Sequence, residues 1–189
     1  MITAWGYEVD ELPNLIDVDT FNDMTGNKHA GDSRVEYALN AASQAVRNAC
    51  GWHISPSLEC TAKLTANGHA VKLPANQVNG ITSVKVQGAT ITDYDWSHLG
   101  LVVGKFTPKL DGVEIEYTAG YDEEAVPDLA MTVSGIVEGV LTVAPGVASE
   151  SADGVSISYS STASSVAASI TSQQLAALAP YRLVSSHAA

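Results

Sequence analysis

Positive charge is scarce in this chain. Its 189 residues include 9 Lys and Arg against 21 Asp and Glu, a formal net charge of −12. Between Lys109 and Arg182 there is neither Lys nor Arg. Such a chain lacks the basic footprint with which nucleic-acid-binding proteins hold phosphates, and an acidic surface repels DNA. Cysteine is scarcer still. Cys50 and Cys60 are the only two and lack C-x-x-C spacing, so they give no metal or redox signal and are expected to be reduced and buried. No run approaches the ~20 apolar residues of a membrane-spanning helix. The segment Met-Ile-Thr-Ala-Trp-Gly-Tyr has no basic leader and no apolar core, so no signal peptide is expected and the compartment reads as cytoplasm-like.

Catalytic signatures are missing too. His29, His53, His69, His98 and His187 are scattered, with no H-x-x-x-H or H-E-x-x-H spacing. There is no G-x-S-x-G elbow, Walker loop or dinucleotide fingerprint. Asp93, Asp95 and His98 gather around Trp96, but their turn-like setting reads as a solvated loop. Asp122, Glu123 and Glu124 could ligate a hard cation. Acidic residues ahead of a helix are also what the helix dipole favours. No catalytic residue, metal site or cofactor is expected.

What is present is organised around residues 112–129. Val113, Ile115 and Tyr117 alternate with Glu114 and Glu116, the period of a half-buried strand. Gly120 gives the backbone freedom to turn. After the acidic run, Pro127 suits the first turn of a helix, and Leu129, Val133, Ile136, Val140 and Val143 follow at helical spacing. The stretch Gly120, Tyr121, Asp122 to Pro127 reads as a hinge from a β region into a helix over 127–144, about 27 Å long at 1.5 Å per residue.

The rest of the chain sorts around that hinge. Residues 1–16 read as an acidic arm that orders against a partner. A short helix is expected over 17–26, capped by Asp17 or Asp19, with Phe21 and Met24 inward. A long one is expected over 33–50, with Ser33 and Glu36 as a capping box, a stripe of Val35, Leu39, Ala42, Val46 and Ala49, and Gly51 as its stop. The narrow stripe suggests a bundle seam, with the two long helices packed together. Gly135 and Gly139 suggest close approach of a neighbour to the second. From Leu58 to Ala66 apolar and polar residues alternate, and Asn67-Gly68 signals a hairpin to a return strand over 69–73. Further strands near 81–86, 90–92, 99–106 and 112–118 complete a small antiparallel sheet or barrel. Val155, Ile157 and Tyr159 alternate with serines as an isolated strand needing a partner edge. Residues 171–183 give a short helix capped by Ser172 or Thr171 and stopped by Pro180, with Leu175 and Leu178 as its apolar side.

The fold class is thus α+β: a helical bundle core (17–57 and 119–145), an inserted antiparallel β region (58–118), an N-terminal arm (1–16) and a C-terminal strand-plus-helix arm and tail (146–189).

Three pieces carry a resemblance. They are Tyr-Thr-Ala-Gly-Tyr-Asp…Val-Pro-Asp-Leu (117–129), Pro-Gly-Val-Ala-Ser-Glu-Ser…Asp-Gly-Val-Ser-Ile-Ser-Tyr-Ser (145–160) and Leu-Ala-Pro-Tyr-Arg (178–182). In this order, after an Ala-rich helix ending Cys-Gly-Trp (50–52), the chain resembles the head-to-tail connector, or adaptor, proteins of tailed double-stranded DNA bacteriophages over residues 17–185. The resemblance implies a structural virion protein of the neck, assembled in the host cytoplasm, and not an enzyme. It implies a ring, commonly twelve-fold, below the portal protein, extending a channel through which DNA passes without specific binding, and docking stopper or tail proteins. Val155, Ile157, Tyr159, Leu175, Leu178, Tyr181 and Arg182 become candidate partner-binding residues, with no cofactor and no membrane. The alternatives are another neck or tail-completion protein, or a small-ligand-binding β domain using the 93–98 cluster.

Overall fold

The computed structural model describes residues 1–66, 68–142, 149–152, 155–158 and 170–183, with backbone alone at 149–152 and 155–158. The chain divides into two compact units. One comprises residues 1–13, 47–127 and 178–183; the other comprises 14–46 and 128–177.

The first unit holds the β structure. Its strands are β1 (Tyr7–Glu8), β2 (Leu58–Leu64), β3 (Ala70–Lys72), β4 (Val78–Val86), β5 (Ala89–Thr90), β6 (Tyr94–Trp96), β7 (Leu101–Gly104) and β8 (Val113–Ala119). They make two antiparallel sheets, one in the order β1-β2-β8-β4-β5 and one in the order β3-β7-β6. The strand expected over 112–118 is therefore the centre of the larger sheet. Its register sets Cys60 opposite Tyr117 and Ala62 opposite Ile115. On its other side Val84 faces Ile115. All five of these side chains are buried with Val71, Leu73, Val102 and Val113. The intervening Glu114 and Glu116 face outward, so the alternation in the sequence maps onto the two faces of one strand.

The expected hairpin at Asn67-Gly68 does not form. β3 pairs with β7, not with β2. The reason is that both edges of β2 are already taken, by β1 and β8; Asn67 itself lies outside the described residues. The N-terminal arm is also corrected. It orders on its own chain, as β1 beside β2, with Tyr7 and Val9 buried and the Met1 ammonium bonded to the Val9 carbonyl.

The second unit holds α1 (Val18–Met24), α2 (Val35–Cys50) up to Val46, α3 (Pro127–Thr142) from Asp128, β9 (Ser149–Ala152), β10 (Val155–Ser158) and α4 (Ser172–Ala177). Asp17 caps α1 by accepting from Thr20 N–H at 2.6 Å. Phe21 is fully buried, whereas Met24, in the last turn, stays 37% exposed rather than inward. At the start of α2 it is Asp32, not Ser33, whose carboxylate accepts from a backbone N–H, that of Arg34 at 2.9 Å. Of the α2 stripe, Val35, Leu39, Ala42 and Val46 are buried as their spacing requires, whereas Ala49 is only half-buried and Cys50 is buried beside it. Part of what covers that face is the chain itself: Leu15 and Ile16 are buried, and Leu15 N–H donates to Ser43 Oγ at 2.9 Å.

The two long helices fall in the same compact unit, but the close approach of a neighbour expected at Gly135 and Gly139 is not found. A side chain placed at Gly139 would meet open space, and one at Gly135 only the tip of Gln174 at 3.8 Å. Val137 and Leu141, not Val140, continue the buried face of α3, and Val143 lies outside the described residues. The strand over Val155 and Ile157 is not alone either. β10 pairs antiparallel with β9, Val155 opposite Ala152 and Ile157 opposite Glu150. The acidic run 122–124 is separate from α3: Glu123–Ala125 forms its own 3-10 turn, and Asp128 is the acid in the helix's first turn.

Candidate functional site

The hinge sequence sits at a buried polar and aromatic knot of the first unit. After Gly51, whose φ of 82° lets α2 end, Trp52, His53 and Ile54 are all fully buried. Ile54 takes a φ of 68°, a strained backbone for a β-branched residue. Its carbonyl accepts from Tyr121 N–H at 2.8 Å, which ties the α2 exit to the end of β8.

His53 is the centre of this knot. Its Nε2 lies 2.8 Å from the Ala119 carbonyl, which can only accept, so Nε2 carries the proton. Nδ1 then accepts from the Tyr7 hydroxyl at 2.8 Å, and the Tyr7 oxygen accepts from His53 N–H at 3.0 Å. Burial pushes the imidazole down from 6.5 to about 4, so it is neutral at pH 7. Gly120 stands against this ring. Its φ is 119°, and a Cβ there would fall on the Pro56 carbonyl oxygen and 2.9 Å from His53 Nε2. The glycine is thus required by strain and by space together.

Arg47 closes the other side. It is 2% exposed, and its guanidinium donates to the His53 carbonyl at 2.9 Å and the Ser55 carbonyl at 2.8 Å. It makes no ion pair among the described residues, and desolvation lowers it to about 10, still protonated at neutral pH. Buried carbonyl dipoles carry this cation. Sequence reasoning missed both Arg47 and His53. A signal existed: Arg47 directly follows Val46 in the apolar stripe of α2, and His53 follows Cys-Gly-Trp.

The C-terminal segment completes the knot. Leu178 is fully buried and Tyr181 is 8% exposed. Trp52 Nε1 donates to the Tyr181 carbonyl at 2.6 Å, and Leu183 N–H donates to the Cys50 carbonyl at 2.8 Å. The rings of Trp52, Tyr121 and Tyr181 form a chain, with centroids 6.0 and 5.7 Å apart. Leu178 and Tyr181, expected at a docking surface, are therefore spent on their own chain. Of the candidate partner-binding residues, Leu175 is 40% exposed on α4 and Arg182 is exposed, its carbonyl accepting from Asn76 at 2.6 Å. Val155 and Ile157 lie on β10, and Tyr159 lies outside the described residues. In the hinge, Tyr121 is half-buried, Asp122 is exposed, and Pro127 opens α3.

The remaining surface is polar. Asp93 and Asp95 flank Tyr94 on the edge strand β6, and Asp93 pairs with Lys105 at 3.2 Å, both well exposed. No three His, Cys, Asp or Glu side chains among the described residues are grouped to hold a metal ion. One groove of about 290 Å³ is lined by Lys63, Lys85, Lys109, Asp111 and Glu114, among others. Another, of about 250 Å³, is lined mostly by acidic and neutral residues, including Glu8, Asp10, Glu59 and Glu116.

Comparison with known proteins gives three fold relatives. A neck subunit of an empty gene transfer agent particle, solved with C6 symmetry, superposes with a TM-score of 0.65 at 19% identity, covering 94% of this chain and 95% of that one. A subunit from the native particle's neck, solved with C12 symmetry, gives 0.57 at 18% identity over 92% and 96%. A chain of the native virion gives 0.58 at 18% over 94% and 95%. No curated protein matches significantly. The family model described as head completion protein matches residues 14–184, from the segment before α1 to the buried C-terminal anchor, and the chain belongs to that family.

Proposed function

We propose that the chain is a structural subunit of a virion neck: a head-to-tail adaptor that assembles as a twelve-fold ring below the portal, extends the DNA channel and docks the stopper or tail. One observation carries this reading. A head completion family match spans the chain, and its fold follows neck subunits from particles solved with six-fold and twelve-fold symmetry almost end to end. The role is non-catalytic. The buried histidine and tyrosine are satisfied by each other and by the backbone, which suits a fixed joint and not a reacting centre. A net charge of −12 suits a channel that DNA must slide through without sticking.

In this reading the helical unit is the bundle-like body of the subunit, and residues 58–118 are its inserted β region. Docking on the portal falls to the arm after α3: β9, β10 with Val155 and Ile157, Tyr159, and the exposed Leu175 and Arg182. Leu178 and Tyr181 anchor that arm. Assembly takes place in the host cytoplasm. The test is genetic and visual. Particles made without the chain should accumulate as heads and tails that fail to join, with the full-length chain restoring them. Joined, infectious particles in its absence would refute the role.

A further inference from the structure

We propose that the loop carrying Leu110, together with Lys63, Lys85 and Lys109, is the face with which one copy of this chain grips the exposed acidic turn Asp122–Glu124 of the next copy in the ring. This rests on the ring reading above and says which surfaces make it.

Three of the chain's 9 cationic side chains converge on one groove of about 290 Å³. Lys63 on β2 and Lys85 on β4 sit opposite Glu114 on β8, at 3.7 and 3.1 Å, and Lys85 also reaches Glu116 at 2.6 Å. Lys109 makes no ion pair among the described residues. Beside it, Leu110 is 78% exposed, the most exposed large apolar side chain described. The loop that presents it is a built turn. Gly112 N–H donates to the Lys109 carbonyl at 3.1 Å, Asp111 N–H to Thr65 Oγ1 at 3.0 Å, and Gln87 N–H to the Gly112 carbonyl at 2.8 Å. An exposed apolar tip between two residues that line a cationic groove, Lys109 and Asp111, has the composition of an interface anchor beside a polar rim.

Its complement is on the same unit. Asp122, Glu123 and Glu124 are exposed in a row and pair with no Lys or Arg among the described residues. They follow the end of β8, whereas the lysine groove lies at its start. Seven residues of strand separate the two by about 20 Å at 3.3 Å per residue. Opposite charges at opposite ends of one body suit a head-to-tail contact, the kind that closes into rings. A two-fold contact could pair the two patches only by laying two copies side by side and antiparallel, which closes as a dimer and builds no ring. A DNA backbone fits the groove less well. It has no recess for Leu110, and the lysines form a cup with two carboxylates in it, not a continuous cationic track.

Single exposed ion pairs contribute little, but facing like charges are strongly unfavourable, so reversal is the informative change. The experiment is sedimentation velocity and electron microscopy of the full-length chain, alone and with portal. It compares wild type, Lys63→Glu with Lys109→Glu, and Asp122→Lys with Glu123→Lys and Glu124→Lys, all checked for folding by circular dichroism. Wild type should form rings. Each reversed variant alone should need at least tenfold more protein to assemble. An equimolar mixture of the two should recover rings, since copies can alternate in an even-numbered ring. Leu110→Ser should weaken assembly, with no rescue by mixing. If a reversed variant fails to fold, Lys63→Gln with Lys109→Gln replaces it and should give an intermediate loss. Folded variants that assemble like wild type, or a mixture no better than its parts, would overturn the proposal. So would intact rings that lose DNA retention, which would hand the groove to DNA. A wild-type chain that forms no ring even on the portal would sink the ring reading itself, in an arm that involves no variant.

Discussion

Gly120→Ala should be among the most damaging single-methyl additions in this chain. A φ of 119° is costly for any residue with a Cβ, roughly 1–3 kcal/mol. The methyl would also fall on the Pro56 carbonyl and 2.9 Å from His53 Nε2. Relief requires the ring or the 54–56 backbone to move, which breaks the His53–Ala119 bond and leaves a buried donor unpaired, a further ~1–3 kcal/mol. The total is about 2–6 kcal/mol, a large part of the roughly 5–15 kcal/mol that stabilises a typical domain. Urea unfolding followed by tryptophan fluorescence measures it, because the fully buried Trp52 lies in the same knot. Gly139→Ala is the matched control: it faces open space on a helix and should gain roughly 1 kcal/mol. If Gly120→Ala unfolds within 1 kcal/mol of wild type, the hinge glycine has been misread.

Acid should loosen the same knot. The folded-state value of His53 lies below its ordinary 6.5, so the unfolded chain takes up the proton first. Its contribution is therefore complete above about pH 6.5 and declines as pH falls towards 4, by up to about 3 kcal/mol. Unfolding free energies between pH 7 and 4 should show that slope, and His53→Gln should flatten it; an unchanged slope in the variant would assign it to other groups. Truncation after Ala177 removes Leu178 and Tyr181 and orphans the Trp52 N–H, so it should lower stability by about 3–6 kcal/mol, whereas truncation after Leu183 keeps those contacts. Removal of the entire C-terminal arm would therefore perturb the fold as well as docking, and equal melting of the two truncations would refute the anchor. Cys50 and Cys60 are free thiols that burial pushes up to about 11 and about 12. Disulfide reagents should label them only as fast as the chain unfolds, and rapid labelling of native protein at pH 8 would contradict their burial.

Much of the secondary structure was legible because it is written in local periodicity. The stripe of α2 and the alternation of β8 each require only that one face be apolar, and both faces are buried where expected. Pairing was not legible, since it depends on residues far apart. Asn67-Gly68 has hairpin chemistry, yet β2 was already flanked on both sides. β1 and β6, of two and three residues, are too short to show a period. Leu178 and Tyr181 illustrate a further limit. An apolar pair near a chain end reads equally well as a docking patch or as an anchor, and only the Trp52 and Cys50 contacts decide between them. The hinge motif shows its turn in the sequence, whereas its physical demand comes from His53, which no spacing rule connects to Gly120.

The proposed role gives this chain a place, in a ring between head and tail. A reconstruction of the assembled particle's neck, with residues 47–127 fitted as a body, tests it most directly. Copies of this fold should form a closed ring beneath the portal, with the loop of Leu110 against a neighbour's Asp122–Glu124 turn. A neck whose density is filled by other chains, with this one absent or bound elsewhere, would contradict it.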